Sequence, residues 1–538
     1  MSATLAIIGA DIRTMDPQRP RASAVALDGD TIVAVGDDAE IREVCDGATE
    51  ILDGRGWHLT PGLTDGHQHL LEGATIAQGI DFDRVGTLDR ARTLVAAERD
   101  RVGPGSWLYG YALEYSTFGG RPYHHTMFDD VSGGRPMFVF ALDLHTGFAN
   151  AEALRLAGVT GARDFPDSSS IVVDDEGKPT GELRERSAVE VVLAAIPPRT
   201  PAQTRALQIE ALRRQNAVGL TAIHQMDGDP DALDAFEALE AEDALTMTVA
   251  VHNILTPTME SDYIDELLAT PPRSGRRWRS DGVKFWLDGV VETGTAWLEH
   301  ADDRGGGTEP NWPSLPDWEV LVRRCHDAGR RIATHAIGDR AVRETLDVYS
   351  RIDGAAGRHR IEHIETAPDQ IVGRFRPEGI TASVQPIHMR WIAADFSDPW
   401  SQRLDHDQCQ HAMPSGDLSA AGALVVLGSD WPVAPYDPRL GIFAAQLRRS
   451  PDVDDPAPVG ASRPLTGEET LAGYTINAAR AVGEGDVAGM LRPGYRADVV
   501  AWADDIATCN PVDVPDLPVL LTVQAGRIVH RAPEVDPA

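Results

Sequence analysis

Short apolar runs recur through the middle of the chain, and most of them are followed by stretches with helical periodicity. Eight runs have the length of strands, at residues 63–69, 220–226, 247–253, 283–288, 332–335, 360–364, 381–386 and 424–430. Residues 317–328 and 340–352 are examples of the helical stretches that follow them. Strands that alternate with helices favour βα units and a parallel sheet. Eight such units predict an α/β fold of the (β/α)8 TIM barrel type, whose active site lies at the carboxyl ends of the strands.

The two ends of the chain show another pattern, in which apolar and polar residues alternate between turns. Near the start, Asp28-Gly29 separates two such segments and gives a strong hairpin signal. The same alternation occurs near the other end, in residues 497–502, 519–523 and 528–530. We predict that residues 1–60 and 476–538 together form a small β-sandwich domain, which flanks a barrel at 61–475.

The connection after the first predicted strand is too long for a loop. It extends from about residue 75 to residue 215 and contains strand-like pieces of its own, at 136–144 and 171–173. A structureless loop of that length does not fit a compact domain. We therefore predict an inserted subdomain at about 85–200, after strand one.

The composition carries no sign of secretion or of membrane insertion. No run of eighteen apolar residues occurs, so we expect no transmembrane helix. The first residues lack the basic segment and the uninterrupted apolar run of a signal peptide. The four cysteines are far apart and form no C-x-x-C pair, which argues against a disulfide framework and a thiolate zinc site. We expect a cytoplasmic protein.

The charge balance bears on the partners of the chain. The formal net charge is −34 at pH 7, which argues against nucleic acid and anionic membrane as partners. Such an acidic chain suits a high-salt cytoplasm, where self-repulsion between charges is screened. We expect a small-molecule substrate and a homodimer.

Lysine is scarce, and this makes one lysine conspicuous. Lys178 and Lys284 are the only two lysines among 49 basic residues. A salt-bridged lysine at a strand end is the ordinary interpretation of Lys284, but a primary amine can do chemistry that a guanidinium cannot, since arginine does not lose its proton in proteins. A neutral buried amine can take up carbon dioxide to form a carbamate that bridges two cations, or it can form a Schiff base.

Metal-binding residue types occur where the predicted strands end. His67 and His69 are two positions apart, so in a strand their side chains project to the same face. His335 and His363 end strands five and six, and either one alone could be a hydrogen-bonded core residue. Asp430 follows an apolar run, where a carboxylate is costly unless it is paired or bound to metal. Together with the lysine of strand four, these residues predict a metal centre.

One motif is misleading. Residues 359–363 match the H-x-x-E-H pattern of inverted zincins, which requires a helix so that both histidines reach one metal ion. The segment is short and lies between Gly357 and Pro368. In a strand, the two imidazoles would be about 13 Å apart at ~3.3 Å per residue. We reject the zincin interpretation.

Four further residues are candidates for contact with substrate. Asp143 and His145 lie in the insertion, and they either contact the substrate or only order the insertion. His224 and His388 lie near the ends of strands two and seven, where a core position is the alternative.

These motifs together resemble the amidohydrolase superfamily, specifically the branch of YtcJ-like proteins and N-substituted formamide deformylases within amidohydrolase family 3. The resemblance covers nearly the whole chain. It rests on residues 61–69, 143–145 with Asn150, 179–181, 283–289, 335–339, 362–363, 429–432 and 491–498.

The resemblance implies a barrel with a flanking β-sandwich and a centre of one or two divalent metal ions, usually zinc. The implied ligands are His67, His69, Lys284 as its N6-carboxylated form, His335, His363 and Asp430. The implied reaction is hydrolysis of a carbon–nitrogen bond other than a peptide bond, most often an amide. The mixed imidazole and carboxylate set suits zinc, and iron or manganese also fit it. Asp430 would take a proton from the attacking water and deliver it to the leaving amine.

Two other functions stay open at this point. A Schiff-base lyase would use Lys284 but leaves the five other ligand-type residues unexplained. A non-catalytic regulatory protein could use the same scaffold, although the complete ligand set argues against it. The substrate and the number and identity of the metal ions are not determined by these patterns.

Overall fold

The computed structural model describes residues 3–142, 146–165, 169–453, 457–533 and 535. The strands are β1 (Leu5–Arg13), β2 (Arg21–Asp28), β3 (Thr31–Gly36), β4 (Glu50–Asp53), β5 (His58–Pro61), β6 (Leu63–Gln68), β7 (Ile80–Asp81), β8 (Leu108–Leu113), β9 (Met137–Ala141), β10 (Thr146–Ala149), β11 (Ser170–Val173), β12 (Pro179–Arg184), β13 (Leu220–Gly228), β14 (Thr248–Ile254), β15 (Trp278–Trp286), β16 (Arg331–Ala336), β17 (Arg360–His363), β18 (Thr381–Val384), β19 (Val425–Leu427), β20 (Val499–Trp502), β21 (Val519–Gln524) and β22 (Arg527–Arg531).

The α-helices are α1 (Asp38–Glu43), α2 (Leu70–Ile76), α3 (Leu88–Arg101), α4 (Ala151–Leu156), α5 (Arg186–Leu193), α6 (Pro201–Asn216), α7 (Pro230–Ala241), α8 (Ser261–Ala269), α9 (Leu315–Asp327), α10 (Asp339–Ser350), α11 (Asp369–Val372), α12 (Phe375–Glu378), α13 (His406–Gln410), α14 (Ser415–Ala420), α15 (Pro438–Leu447), α16 (Gly467–Gly473) and α17 (Ile476–Ala481). The helices of this described part of the chain are each too short or too polar to span a bilayer.

Eight strands form a parallel barrel in the order β6-β13-β14-β15-β16-β17-β18-β19. Helices such as α7, α9 and α10 connect successive strands, so each apolar run leads into a helix that packs back on the sheet. These strands coincide with the eight runs of the sequence, and the predicted TIM barrel is confirmed. The carboxyl ends of all eight strands therefore meet at one mouth of the barrel.

The barrel closes where the chain after β19 reaches β6. The amide of Asp430 donates to the carbonyl of His67 at 2.7 Å, and the amide of His69 donates to the carbonyl of Trp431 at 2.8 Å. Two glycines permit this close approach. A Cβ on Gly428 would lie 2.5 Å from the backbone nitrogen of His67, and one on Gly66 would lie 2.3 Å from a side-chain methyl of Val426. The seam thus requires both positions to lack a side chain.

Both ends of the chain join in one β-domain, as predicted. The sheet order is β22-β21-β20-β5-β1-β2-β3, and β4 also pairs with β1. The β2–β3 hairpin turns at Gly29 and Asp30, because Asp28 pairs with Thr31. Alternate apolar residues of these strands fill a shared core, which includes Leu27 and Leu521, both fully buried. The predicted limits at residues 60 and 476 stay predictions.

Residues Leu70–Glu210 form a compact unit of their own, and the remaining residues form the other. A six-stranded sheet in the order β11-β12-β10-β9-β8-β7 organises this insertion. Phe118, Tyr123 and Phe148 pack edge-on or tilted against one another in its core, with ring centroids 4.7 to 5.4 Å apart. The insertion after the first barrel strand is therefore confirmed, while its predicted limits of 85–200 stay a prediction.

Candidate metal centre

The predicted ligands lie at the carboxyl ends of the barrel strands and contact one another. The Nζ atom of Lys284 lies 3.3 Å from Nε2 of His67. An oxygen of Asp430 lies 3.4 Å from the same nitrogen and 3.1 Å from Nε2 of His69. The ring of His363 lies with its centroid 4.8 Å from that of His67 and 4.4 Å from that of His335. Six side chains from five separate strand ends are thus brought to one place.

Three of these residues have donor atoms close enough for a single ion. One ligand atom each of His67, His363 and Asp430 lie within 4.8 Å of one another. All three residues are at least nine-tenths buried. In the described residues, Nδ1 of His363 is buried without a hydrogen-bond partner, which leaves a donor atom that the protein itself does not satisfy.

Hydrogen bonds fix which imidazole nitrogens retain a lone pair. Nδ1 of His67 lies 2.7 Å from Oε2 of Glu362, an acceptor, so this nitrogen carries the proton and Nε2 keeps its lone pair. Nε2 of His335 lies 3.1 Å from the carbonyl oxygen of Gly289, which is also only an acceptor, so Nδ1 of His335 keeps the lone pair. Such bonds on the distal nitrogen are typical of metal-binding histidines.

The backbone is held in an unfavourable region at two of the candidate ligands. His363 has a φ of 76° and Asp430 a φ of 63°, in the left-handed region that residues with a Cβ seldom adopt. Such conformations cost of order 1–3 kcal/mol each and persist where surrounding structure enforces them. The hydrogen bond from the Asp430 amide to the His67 carbonyl is one such constraint.

Burial keeps most of these basic groups in their neutral forms. Burial, together with the charge of Lys284, lowers the pKa of His67 to about 4 and that of His335 to about 3. Burial also lowers the pKa of Lys284 to about 8. Neutral imidazoles, and an amine that loses its proton near neutral pH, are the forms that bind cations or react with carbon dioxide.

Asp430 and His69, in contrast, are held in their charged forms. Burial opposes ionisation of Asp430, but the adjacent His67 and His69 outweigh it and hold the pKa of this carboxyl below its usual range. Burial likewise opposes protonation of His69, yet Asp227 and Asp430 on its two sides raise its pKa to about 10. Without a cation, a proton on His69 thus balances these carboxylates. A divalent ion would take the place of that positive charge.

Two carboxylates of this site were not predicted from the sequence. Glu362 accepts the proton of His67 and forms an ion pair with the buried guanidinium of Arg360. Asp227, in β13, has an oxygen 3.3 Å from Nδ1 of His69. In the sequence, Glu362 stood out only as part of the rejected H-x-x-E-H motif. Arg360 and Glu362 occupy alternate positions of an apolar strand, which indicates that they share one buried face.

Two further aspartates hold the loops that carry the ligands. Asp65 accepts hydrogen bonds from the amides of His67 and Ser429, at 3.1 and 2.9 Å. Asp288 accepts from the amides of Ile337 and Gly338, at 3.0 and 2.9 Å. Burial raises the pKa of both carboxyls to about 7 despite these bonds. Both aspartates therefore tie neighbouring strand ends together.

The candidate substrate residues have different surroundings. His388, in a short helix at Pro386–Trp391, has Nε2 3.9 Å from Oδ2 of Asp430, and both its nitrogens are buried without hydrogen-bond partners in the described residues. His224 instead accepts from Arg360 at 2.8 Å inside the barrel. Asp143 and His145 lie outside the described residues. Substrate contact stays a prediction for all four.

The comparisons with known proteins place the chain in a family. A model described as the amidohydrolase family matches residues 50–530. The chain belongs to the amidohydrolase family. It is 27% identical to YtcJ of Bacillus subtilis over 97% of this chain and 98% of that protein. It is 26% identical to the N-substituted formamide deformylase of Arthrobacter pascens over 97% of each chain.

A solved structure shares the fold over nearly its whole length. The chain superposes on an uncharacterized metal-dependent hydrolase from Pyrococcus furiosus with a TM-score of 0.71 and 25% identity, covering 94% of this chain and 99% of that one. The resemblance noted from the sequence is confirmed. Family membership and these relatives support a metal-dependent hydrolase.

Proposed function

We propose that this chain hydrolyses the carbon–nitrogen bond of a small-molecule amide, of the N-formyl or N-acyl class, at a metal centre. The observation that carries the proposal is the position of Nε2 of His67, which lies 3.3 Å from Nζ of Lys284 and 3.4 Å from Oδ1 of Asp430 in a buried cluster of histidines. The similarity to an N-substituted formamide deformylase supports the class of bond. This similarity shows that the two proteins share a scaffold, but it does not show that they share a substrate. The substrate is therefore part of the proposal.

The donor set fits one or two divalent ions, and we propose zinc. His67, His69, Lys284, His335, His363 and Asp430 would hold them. Imidazole nitrogen and carboxylate oxygen are ligands that zinc accepts readily. When bound, the metal lowers the pKa of water and polarises the carbonyl of the substrate.

Lys284 would complete the set as a carbamate. Its neutral Nζ would attack carbon dioxide, form a nitrogen–carbon bond and release one proton, which leaves an anionic carboxylate on the side chain. Burial of the amine lowers its pKa to about 8, which raises the fraction of the neutral form that this step needs. The adjacent positive charge that the new anion requires would be that of the metal.

Asp430 would move the proton during hydrolysis. Its histidine neighbours keep the carboxylate ionised, so it can accept the proton of the attacking water. Its two oxygens point to different partners, since Oδ1 faces His67 and His69 while Oδ2 lies near His388. The same carboxyl would then return the proton to the leaving amine. His388, whose ring nitrogens make no hydrogen bond with the described residues, would bind the substrate beside it.

The direct test combines metal analysis with a panel of N-formyl and N-acyl amines. We expect zinc or another transition metal in the purified protein, loss of hydrolysis after chelation, and recovery on adding zinc. Protein that is free of metal and insensitive to chelators would overturn the proposal. A Schiff-base lyase would instead be trapped by borohydride with substrate on Lys284, and a regulatory protein would hold metal without turnover. The cytoplasmic location and the homodimer stay predictions.

A further inference from the structure

A cavity lies at the opposite end of the barrel from the metal centre. It has a volume of about 830 Å³. Thr248 and Trp278, which begin β14 and β15, line it together with the turns at Gly29–Asp30 and 525–527 of the β-domain. Lys284 stands near the other end of β15, six residues beyond Trp278 in the same strand, so about 20 Å separates the two positions at ~3.3 Å per residue.

Arginines dominate the charged lining of this cavity. Three acidic residues, Asp30, Asp281 and Glu484, face five arginines. The arginines are Arg276, Arg277, Arg279, Arg496 and Arg527. This excess of positive residues in the lining contrasts with the formal net charge of the whole chain, which is −34. A concave surface of one sign concentrates ions of the other.

Some of these guanidinium groups are already paired. Arg279 and Arg496 both form ion pairs with Glu484. Arg527 donates to Asp243 at 2.6 Å, and Arg277 donates to the carbonyl of Leu245 at 2.7 Å. These bonds hold the arginines in place on the wall of the cavity.

Arg276 is different, because its exposed side chain makes no hydrogen bond or ion pair with the described residues. Burial lowers the pKa of Arg277, and the like charges of Arg527 and Arg276 lower it further. Asp243 and Glu240 offset part of this repulsion, and Arg276 is left without a paired carboxylate among the described residues. A bound anion would relieve that repulsion.

The indole of Trp278 gives an independent sign of a missing acceptor. Trp278 is 4% exposed, and its Nε1 is buried without a hydrogen-bond partner in the described residues. Most buried donors have an acceptor, although the indole nitrogens of Trp297, Trp312, Trp318 and Trp391 are in the same state in the described residues. A ligand oxygen in the cavity would supply an acceptor once the side chains that cover this nitrogen shift.

We propose that this cavity binds a small-molecule anion with at least two phosphate or carboxylate groups. Guanidinium groups bind such oxyanions through paired hydrogen bonds, and several arginines on one wall suit more than one anionic group. The volume lies within the ~300–1,000 Å³ range of small-molecule sites. The site is separate from the metal centre, so it does not depend on the proposed hydrolysis.

The test is calorimetric titration of the purified full chain with two probes that chelate metals weakly, glucose 1,6-bisphosphate and tricarballylate. We expect saturable binding of at least one of them in ~100 mM salt, weakening as salt rises. Binding of the first probe identifies phosphate as the preferred group, and binding of the second identifies carboxylate.

Variants at the cavity and away from it make the test specific. Arg276→Gln should weaken binding about ten-fold, the loss expected for one charged hydrogen-bonding group. Adding Arg527→Gln should weaken it further, and both side chains are exposed enough for the variants to fold. Arg42→Gln, an exposed arginine of α1 outside the cavity, is the matched control and should leave binding unchanged.

Two results would overturn the proposal. One is that neither probe binds the unaltered chain. The other is that the double variant binds as tightly as the unaltered chain, which would place the anion elsewhere, including at the metal centre.

Discussion

Glu362→Gln tests whether the buried carboxylate beside His67 supports the metal centre. Glu362 is fully buried, accepts the Nδ1 proton of His67 at 2.7 Å and pairs with the guanidinium of Arg360. Glutamine keeps the shape of the side chain but removes its charge. Its amide oxygen can still accept from His67, so the change isolates the charge from the packing.

Two costs follow from these contacts. The Arg360 side chain is 2% exposed, so the substitution leaves a buried cation without its counter-ion. Breaking such a pair from one side costs about 3–5 kcal/mol of unfolding free energy. The imidazole of His67 also loses a charged acceptor that increases its basicity, and losses of this kind weaken metal binding by about 10–100-fold.

The assays are urea unfolding of the metal-free protein and zinc affinity by competition with a chelator. Arg360→Met combined with Glu362→Gln removes both charges, so it should recover part of the unfolding free energy but none of the zinc affinity. Unchanged zinc affinity in Glu362→Gln, with a stability within about 1 kcal/mol of the unaltered protein, would refute the reasoning.

Three further predictions concern other parts of the molecule. Lys284→Arg keeps a positive charge but cannot form a carbamate. The rate of hydrolysis should therefore fall by more than the roughly 100-fold that is typical when a residue supporting a metal ligand is lost. Rates near those of the unaltered enzyme would exclude carboxylation. Gly428→Ala places a Cβ 2.5 Å from the His67 nitrogen and should lower the melting temperature and the metal content together, whereas normal values of both would show that the seam can adjust. Burial raises the pKa of Asp505, but the bonds from Arg13 outweigh this and lower it to about 2. Because the folded pKa is below the unfolded value of about 4, the ion pair contributes about 2 kcal/mol above pH 4 and loses it as the pH falls towards 2. The difference in unfolding free energy between the unaltered protein and Asp505→Asn should therefore shrink on acidification, and a constant difference would contradict the assignment.

The barrel and the identity of the candidate ligands could be predicted because both depend on local signals. Each barrel strand contains a short apolar run, and each candidate ligand lies close to the carboxyl end of its strand, as Lys284 and His335 do. In a parallel barrel the ends of all strands meet, so local position along the chain becomes spatial proximity. The scarcity of lysine singled out Lys284 without any structural information.

The supporting residues could not be predicted because their partners are remote in sequence. Glu362 is separated from His67 by 295 residues, and beside Arg360 in the sequence it suggests only a local ion pair. The contact of Asp227 with His69, which belongs to the end of the neighbouring strand, is likewise visible only in the structure. Asp143 and His145 lie outside the described residues, so the sequence prediction for them is unchanged.

The β-domain built from both ends of the chain has a consequence for biosynthesis. Strand β5 pairs with β20, and the indole of Trp502 donates to the hydroxyl of Thr60 across 442 residues of sequence. During translation the first strands emerge long before their partners are made, with one edge of their sheet unpaired. Exposed edges of this kind invite aggregation. A ribosome that stalls before residue 499 would release a barrel attached to an incomplete sheet, a form that chaperones must shield or proteases remove.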